Sequence, residues 1–388
     1  MTSTDASVLP TESDFLTTAH ARVLDAVSHA PVRSGHYVEN GRWKQVSVAE
    51  GSFWTDDSYD HGNWTSGFWV GCLLHLHQLG APAEAELAAA LAGATAVRAL
   101  DETTHDVGFM FWPSAVLLSE EREAHGDTAS AKRWGQVALT AAETLAKRFR
   151  PAGGYLQAFG ALNDVRGQAT STIDTMMNLP LLWWCARRFD RDDLQHIAHQ
   201  HALTTSRDLI RDDGASFHLV HHNLDGSLRS RGTFQGAGDQ SCWTRGQAWA
   251  IHGFIDAYLA TGEIQFVDVA ARCLQFWADH APFGELPPYD LLATTGLFDA
   301  SASAILASGL ADAAADPVLA EQLDARERLD QVLTTLARDA LFSSPAGIIG
   351  RSTYSAPHGW GVDGALPYGD YFYLRALTKN ASLSRQPR

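Results

Sequence analysis

Residues 176 to 184 read MMNLPLLWW, a run of large apolar side chains interrupted by Asn178. A helix at a protein surface is apolar along one stripe, whereas a helix that is apolar on most sides has to be covered on most sides. The run is therefore predicted to lie in the inner layer of an architecture built from two layers of helices.

Outward from this run, the chain repeats apolar residues at helical spacing along most of its length. One helix is predicted between Asp127 and Arg150, where the repeating apolar residues are Ala131, Trp134, Val137, Ala138, Ala141 and Leu145. The other candidate helices cover residues 14–30, 64–80, 82–100, 106–120, 172–189, 193–211, 243–261, 264–280, 300–315, 317–341 and 367–378. About a dozen helices with short connections predict an all-α toroid or solenoid, and the concave end of a closed helical ring is the usual place for a ligand.

The connections between these helices are rich in glycine, aromatic and polar residues. Asp225 and Gly226 lie between two short runs with strand character, and they predict a β-hairpin within residues 217–233. No linker-like run of proline and serine divides the helices. We therefore expect one catalytic domain over residues 1–388, with loose ends at 1–13 and 379–388.

The composition excludes several classes of partner. Forty-five acidic and 29 basic side chains give a formal net charge of −16, which repels nucleic acid and anionic membrane surfaces.

The 4 cysteines lack CxxC spacing and predict buried thiols rather than a zinc site or a disulfide framework. The first residues show no secretory leader pattern, so a cytoplasmic protein is expected. We also expect a monomer or a weak homodimer. The 12 tryptophans hint weakly at a sugar cleft.

Asp174 is the first candidate for chemistry. It follows the hydroxyl-rich run Thr170 to Thr172, whose Ser171 or Thr172 could cap a helix, and it is flanked by apolar side chains. A partly desolvated carboxyl group in such surroundings is suited to hold and transfer a proton. The alternative is that Asp174 only complements the positive end of a helix.

Asp106 is the second candidate, in the stretch THDVGFMFW of residues 104–112. Two carboxyl groups that share a cleft divide into one acid and one base, so Asp106 is predicted to face Asp174. The alternative is that Asp106 only caps the N-terminus of a helix and that His105 beside it is exposed.

The third candidate for chemistry is the stretch of residues 232–249, GTFQGAGDQSCWTRGQAW. Its glycines let backbone approach a ligand closely, Trp243 and Trp249 can stack on a sugar ring, and Arg245 can bind a carboxylate or a hydroxyl. The alternative is that Arg245 is a structural ion-pair partner and both tryptophans belong to the core.

Metal, phosphate and dinucleotide chemistry are not indicated. His218, His221 and His222 are split across the faces of a strand and lack a completing set of ligands, so no metal is predicted. The sequence also lacks a GxSxG elbow, a phosphate-binding P-loop and a dinucleotide fingerprint.

Taken in order, five motifs resemble those of the unsaturated glucuronyl hydrolases, glycoside hydrolase family 88. They are NWTSGFW at 63–69, HDVGF at 105–109, IDTMMNL at 173–179, the stretch 235–249 and YGDYF at 368–372. The resemblance implies an (α/α)6 barrel that acts without a cofactor on oligosaccharides ending in a Δ4,5-unsaturated uronic acid.

The resemblance also implies roles for individual residues. Asp174 would protonate C4 of the vinyl ether and assist water at C5, and Asp106 would support it. The residues implied to contact the uronate or the catalytic water are His218, Gln235, Trp243 and Arg245. Those implied to shape the pocket are Trp64, His105 and Trp249.

Two departures from the family pattern affect substrate preference. Phe234 stands where many relatives have histidine, and the loop 351–359 lacks a lysine that relatives acting on sulfated chains often carry. Weak sulfate recognition is therefore expected. The alternatives are an unsaturated rhamnogalacturonyl hydrolase, a sugar 2-epimerase and a non-catalytic carbohydrate-binding toroid.

Overall fold

The computed structural model describes residues 10–55, 59–164, 166–167 and 169–385. Within them the α-helices are α1 Glu12–Ala26, α2 Ser66–Gln78, α3 Ala85–Thr95, α4 Val107–Phe111, α5 Leu117–Ala124, α6 Thr128–Ala146, α7 Leu179–Phe189, α8 Asp192–Asp208, α9 Thr244–Thr261, α10 Ile264–His280, α11 Ala300–Ala313, α12 Pro317–Gln322, α13 Ala325–Asp339 and α14 Pro367–Ser384. Ala96–Leu100 and Ile173–Asn178 form 3-10 helices, and Trp112–Val116 forms a π-helical turn.

The strands are short and lie in the connections. They are β1 Arg33–Glu39, β2 Arg42–Ser47, β3 Phe53–Trp54, β4 Tyr59–Asp60, β5 Phe149–Arg150, β6 Tyr155–Leu156, β7 Thr170–Thr172, β8 Leu219–His222 and β9 Leu228–Gly232. The predicted hairpin is present as β8 and β9, with Gly226 at φ 85° in its turn, and β7 joins it as a third antiparallel strand.

The inner layer is a closed ring. Helix α2 packs against α4 and the π-helical turn, these contact α7 and the second 3-10 helix, and the ring continues through α9, α11 and α14 back to α2. These helices are buried along most of their length, whereas α1, α3, α6, α8, α10 and α13 expose one side. The predicted (α/α)6 toroid is confirmed, and the run 176–184 lies in its inner layer as expected.

Glycines bring inner elements into close contact. A Cβ atom on Gly67 of α2 would lie 2.0 Å from the carbonyl oxygen of Met110, and one on Gly253 of α9 would lie 2.5 Å from the Met176 side chain. Since real Cβ atoms cannot approach backbone oxygens so closely, the packing of α2 on α4 requires the glycine at position 67.

Some predicted helices are interrupted. The helix predicted over 106–120 ends at Phe111, and the following π-helical turn contains Pro113, which has no N–H to donate. The helix predicted over 317–341 divides at Asp324, whose φ of 45° is left-handed. Of the predicted loose ends, residues 1–9 and 386–388 lie outside the described residues, and the C-terminal helix extends through Ser384 rather than ending at residue 378.

Four cysteines are buried free thiols: Cys72, Cys185, Cys242 and Cys273. Among the described helices, none combines the length and the apolar character needed to span a bilayer.

Candidate active site

Asp106 lies at the start of α4, but its side chain does not cap the helix. Its Oδ2 accepts a hydrogen bond from the Thr104 hydroxyl at 2.8 Å and lies 3.5 Å from Nδ1 of His61. Its Oδ1 lies 3.3 Å from Nε2 of His105. Burial alone would raise the pKa of Asp106, but His105, His61 and Thr104 together outweigh it and lower the pKa to about 2. Asp106 is therefore an anion at neutral pH.

Asp174 lies in the first turn of the 3-10 helix that leads into α7. Neither proposed capping residue caps this helix through its side chain, since Thr172 belongs to β7 and its hydroxyl contacts that of Thr175 at 3.2 Å. The Oδ1 atom of Asp174 is buried and has no hydrogen-bond partner among the described residues. A carboxylate oxygen in this position is free to exchange a proton with a bound molecule.

Both carboxylates line one pocket at the end of the ring, with about 410 Å³ of space when its open mouth is included. Its lining consists of His61, Trp64, Asp106, Phe109, Asp174, Phe234, Gln235, Trp243, Arg245, Trp249 and Tyr354. Seven of the nine residues singled out from the sequence are in this lining, and His105 and His218 are not.

His218 is buried next to the pocket. Its Nδ1 accepts hydrogen bonds from the backbone N–H groups of Phe234 and Gln235, at 3.1 and 3.2 Å, which assigns the ring proton to Nε2. Burial lowers the pKa of His218 to about 4, although the charge of Asp174 opposes the shift. His218 is thus a neutral imidazole that fixes the backbone before and at Gln235.

His105 is buried rather than exposed, with 1% of its surface accessible. Its Nδ1 lies 2.7 Å from the Thr175 hydroxyl, and its Nε2 faces Asp106. His105 therefore bridges the carboxylate of Asp106 and the side chain of Thr175, the residue that directly follows Asp174.

Arg245 is held by protein groups on one edge of the pocket. Its Nη1 forms an ion pair with Asp299 and donates to the Thr353 carbonyl at 2.8 Å, and its Nη2 donates to the Tyr354 carbonyl at 2.5 Å. Although burial opposes the charge, Asp299 outweighs it and the pKa of Arg245 is raised. The alternative interpretation of Arg245 is therefore confirmed, because it is a structural ion-pair partner, and it also lines the pocket, where its contact with a ligand stays a prediction.

Three tryptophans line the pocket in different ways. Trp64 donates from Nε1 to the Tyr354 hydroxyl at 3.0 Å. Trp249 packs among inner-layer aromatics, with its ring 5.3 Å from that of Phe109. The Nε1 of Trp243 is buried and has no hydrogen-bond partner in the part of the chain described. Gln235 donates from Nε2 to the Tyr354 carbonyl at 3.0 Å.

The motifs did not single out His61 or Tyr354 as site residues. His61 precedes the NWTSGFW motif by two positions, and only the pairing of β3 with β4 and the packing of the loop bring it to Asp106. Tyr354 lies in the loop noted for its missing lysine, and its hydroxyl and carbonyl bind Trp64, Gln235 and Arg245.

A helical ring whose open end holds a paired carboxylate site among tryptophans has the architecture and chemistry of a glycoside hydrolase. No protein-family model matches the chain. The unsaturated glucuronyl hydrolase of Bacillus sp. (strain GL1) is 31% identical over 360 residues, which cover 87% of this chain and 90% of that protein. The chain therefore belongs to the unsaturated glucuronyl hydrolase (UGL) family, as the motifs predicted, rather than to the sugar 2-epimerases.

Two further relatives are similar over most of the chain. The unsaturated chondroitin disaccharide hydrolase of Streptococcus agalactiae is 28% identical, with 82% of both chains covered. A solved structure of a UGL variant with dGlcA-Glc-Rha-Glc has a TM-score of 0.77 at 27% identity, with 93% of this chain and 95% of that chain covered.

Proposed function

We propose that this chain removes a Δ4,5-unsaturated glucuronic acid from the non-reducing end of oligosaccharides left by polysaccharide lyases. The reaction is a hydration of the C4=C5 vinyl ether, with Asp174 as the proton-handling group and Asp106 as its charged partner. Family membership supports the substrate class, and the different surroundings of the two carboxylates support their roles.

The observation that carries the assignment is the contrast between the two carboxylates. Asp106 is engaged by His105, His61 and Thr104 and has a pKa of about 2, so it remains an anion through any physiological pH. Asp174, in the same pocket, keeps one oxygen without a hydrogen-bond partner among the residues that the structure describes. A site with one fixed anion and one available carboxyl group has the division of labour that acid–base chemistry requires.

In the proposed reaction, Asp174 gives a proton to C4 and then assists a water molecule that adds its oxygen to C5. The product is a hemiketal, which opens to a ketone at C5 and leaves the former ring oxygen as a hydroxyl group on C1. That hydroxyl and the glycosidic oxygen make C1 a hemiacetal, which collapses to an aldehyde and releases the aglycone as an alcohol. The chemistry needs one positioned acid–base group and no redox change.

The remaining pocket residues would bind and orient the uronate. We assign hydrogen bonding to Gln235, Arg245 and the free Nε1 of Trp243, and ring contact to Trp64 and Trp249. His218 and His105 would act from outside the lining, by fixing the backbone at Gln235 and the side chain of Asp106. We further propose that residues 1–388 form one catalytic unit and that the protein is cytoplasmic, where its buried free thiols would stay reduced.

The test is turnover of an unsaturated disaccharide, followed by loss of its ultraviolet absorbance and by the mass of the products. Asp174→Asn is expected to lower kcat by about a thousandfold, because general acid–base catalysis contributes roughly 10²–10⁴. Asp268→Asn, on the exposed side of α10, is the matched control and should leave kcat unchanged. Near-normal turnover by Asp174→Asn would refute the assignment, and activity confined to rhamnose-linked substrates would favour the rhamnogalacturonyl alternative.

A further inference from the structure

Three of the residues assigned to bind the uronate come from one segment of the chain. Gln235 and Trp243 lie near the two ends of the loop that follows β9, and Arg245 lies in the first turn of α9. Residues 236–242 form neither helix nor strand, and residues 237–240 are exposed. Because such a loop does not fix its own shape, the positions of Gln235 and Trp243 depend on what the loop is attached to.

The loop is attached to the connection between α10 and α11 by a buried carboxylate. Asp290 is 1% exposed, and its Oδ2 accepts a hydrogen bond from the backbone N–H of Ala237 at 3.1 Å. Its Oδ1 accepts from the backbone N–H groups of Cys242 at 3.2 Å and of Leu292 at 3.1 Å. One side chain therefore joins the beginning of the loop to its end and to the connection that carries it.

The main chains of the two segments are joined at the same place. Trp243 and Asp290 form an antiparallel bridge, flanked by backbone hydrogen bonds of 2.8 and 3.1 Å. The hydroxyl of the neighbouring Tyr289 donates to the Gln235 carbonyl at 2.6 Å. The backbones of both pocket residues are thus fixed by two adjacent residues of the α10–α11 connection.

The charge of Asp290 is directed to this loop. Among the described residues it forms no ion pair, so the groups that meet its carboxylate are backbone N–H donors. Hydrogen bonds to a charged acceptor are roughly twice as strong as those between neutral groups. Neither Asp290 nor Tyr289 is in the pocket lining, so their effect on a substrate has to pass through Gln235 and Trp243.

We propose that Asp290 is a positioning residue for the uronate site and that Tyr289 assists it. Together they hold Gln235 and Trp243 in their binding positions before the substrate arrives, so that binding does not have to order the loop. The inference rests on the proposed function, and it adds two residues that act on substrate binding without touching the substrate.

The test is Asp290→Asn, assayed with an unsaturated disaccharide. An amide has one acceptor oxygen, so its NH2 group would face at least one of the N–H donors and that attachment would be lost. KM should rise roughly tenfold, the effect of losing one charge-assisted hydrogen bond. The value of kcat should stay within about twofold of the wild type, because Asp106 and Asp174 lie on other elements.

Tyr289→Phe is the second variant, since it removes only the hydroxyl that binds the Gln235 carbonyl. It should raise KM by about threefold, the effect of losing one neutral hydrogen bond. Asp225→Asn is the matched control, because Asp225 also accepts a backbone N–H, that of Ser227 at 2.9 Å, but in the exposed turn between β8 and β9. Its KM should equal that of the wild type.

Thermal unfolding of each variant checks that it is folded at the assay temperature. A folded Asp290→Asn variant with the KM of the wild type would overturn the positioning role and leave the hydrolase in place. If Asp290→Asn does not fold, Tyr289→Phe decides the question, and an unchanged KM in that variant would overturn the proposal. A wild-type protein that cleaves no unsaturated disaccharide would overturn the proposed function and this inference with it.

Discussion

At the scale of single residues, the site depends on imidazoles that set the charge of one carboxylate. Asp106 is 3% exposed, and burial by itself would favour its neutral form. His105 and His61 approach the carboxylate from two sides, lower its pKa and so favour the anion. The folded-state pKa of about 2 lies below that of a free carboxyl group. Ionised Asp106 therefore stabilises the folded state above pH ~4, and this contribution to the free energy of unfolding is lost as the pH falls toward 2.

His61→Asn is expected to move the acid limb of the kcat/KM profile to higher pH. Without the imidazole, the pKa of Asp106 rises, and its anion is lost earlier as the pH falls. His125→Asn, an exposed substitution after α5, is the matched control. Identical acid limbs for the wild type and His61→Asn, measured with an unsaturated disaccharide, would show that His61 has no part in the charge of Asp106.

At the scale of elements, the inner helices are positioned by close contacts and by buried polar anchors. Asp370, in the first turn of α14, accepts hydrogen bonds from the backbone N–H groups of Ile348 and Ile349 at 2.9 and 2.8 Å. The YGDYF motif therefore contributes a structural anchor at Asp370, which the pocket lining does not include.

Gly67→Ala should lower the free energy of unfolding by about 1–3 kcal/mol, because its Cβ would collide with the Met110 carbonyl. Gly93→Ala in α3 is the matched control, since a Cβ there would meet no atom within 4 Å in the described parts of the chain. Alanine is the better helix former, so this control should be neutral or more stable by up to about 1 kcal/mol. Urea unfolding measures both, and equal effects would contradict the packing argument.

Asp370→Asn should remove one component of the pH dependence of stability. Burial raises the pKa of Asp370 to about 7, so the folded state holds a proton that the unfolded state has released above pH ~4. The free energy of unfolding of the wild type therefore falls as the pH rises from about 4 to about 7. The Asp370→Asn variant should not show this fall, because its amide does not titrate. Parallel stability curves for the two proteins across this interval would disprove the shift.

At the scale of the whole molecule, the two ends of the ring are lined by different sets of charged side chains. The open end holds the carboxylates, while the opposite end has a wide cavity whose lining includes Asp256, Asp312, Arg375 and Lys379. Arg375 pairs with Asp312 at 2.6 Å and Lys379 does so at 3.1 Å, which connects α11 with α14. His252, Asp256 and Asp312 have metal-ligand spacing, but the two cations already neutralise Asp312.

Asp312→Asn should lower the free energy of unfolding by about 3–5 kcal/mol, since it leaves the buried Arg375 without its anion. The turnover of the folded variant should match the wild type, because the substitution lies at the end away from the pocket. Lys379→Ala removes the half-exposed partner and should cost less than about 1 kcal/mol. A large loss of kcat in folded Asp312→Asn would show that the two ends are coupled.

The sequence by itself determined the helical class, the inner position of the run 176–184 and the motifs around Asp106 and Asp174. Apolar periodicity and the order of local motifs are properties of contiguous residues, so they can be read without coordinates. The tertiary structure alone decided that His61 meets Asp106, that Arg245 pairs with Asp299, and that the Phe234 ring packs against His358. These contacts join residues far apart in the chain, and no local pattern specifies which loops the closed ring brings together.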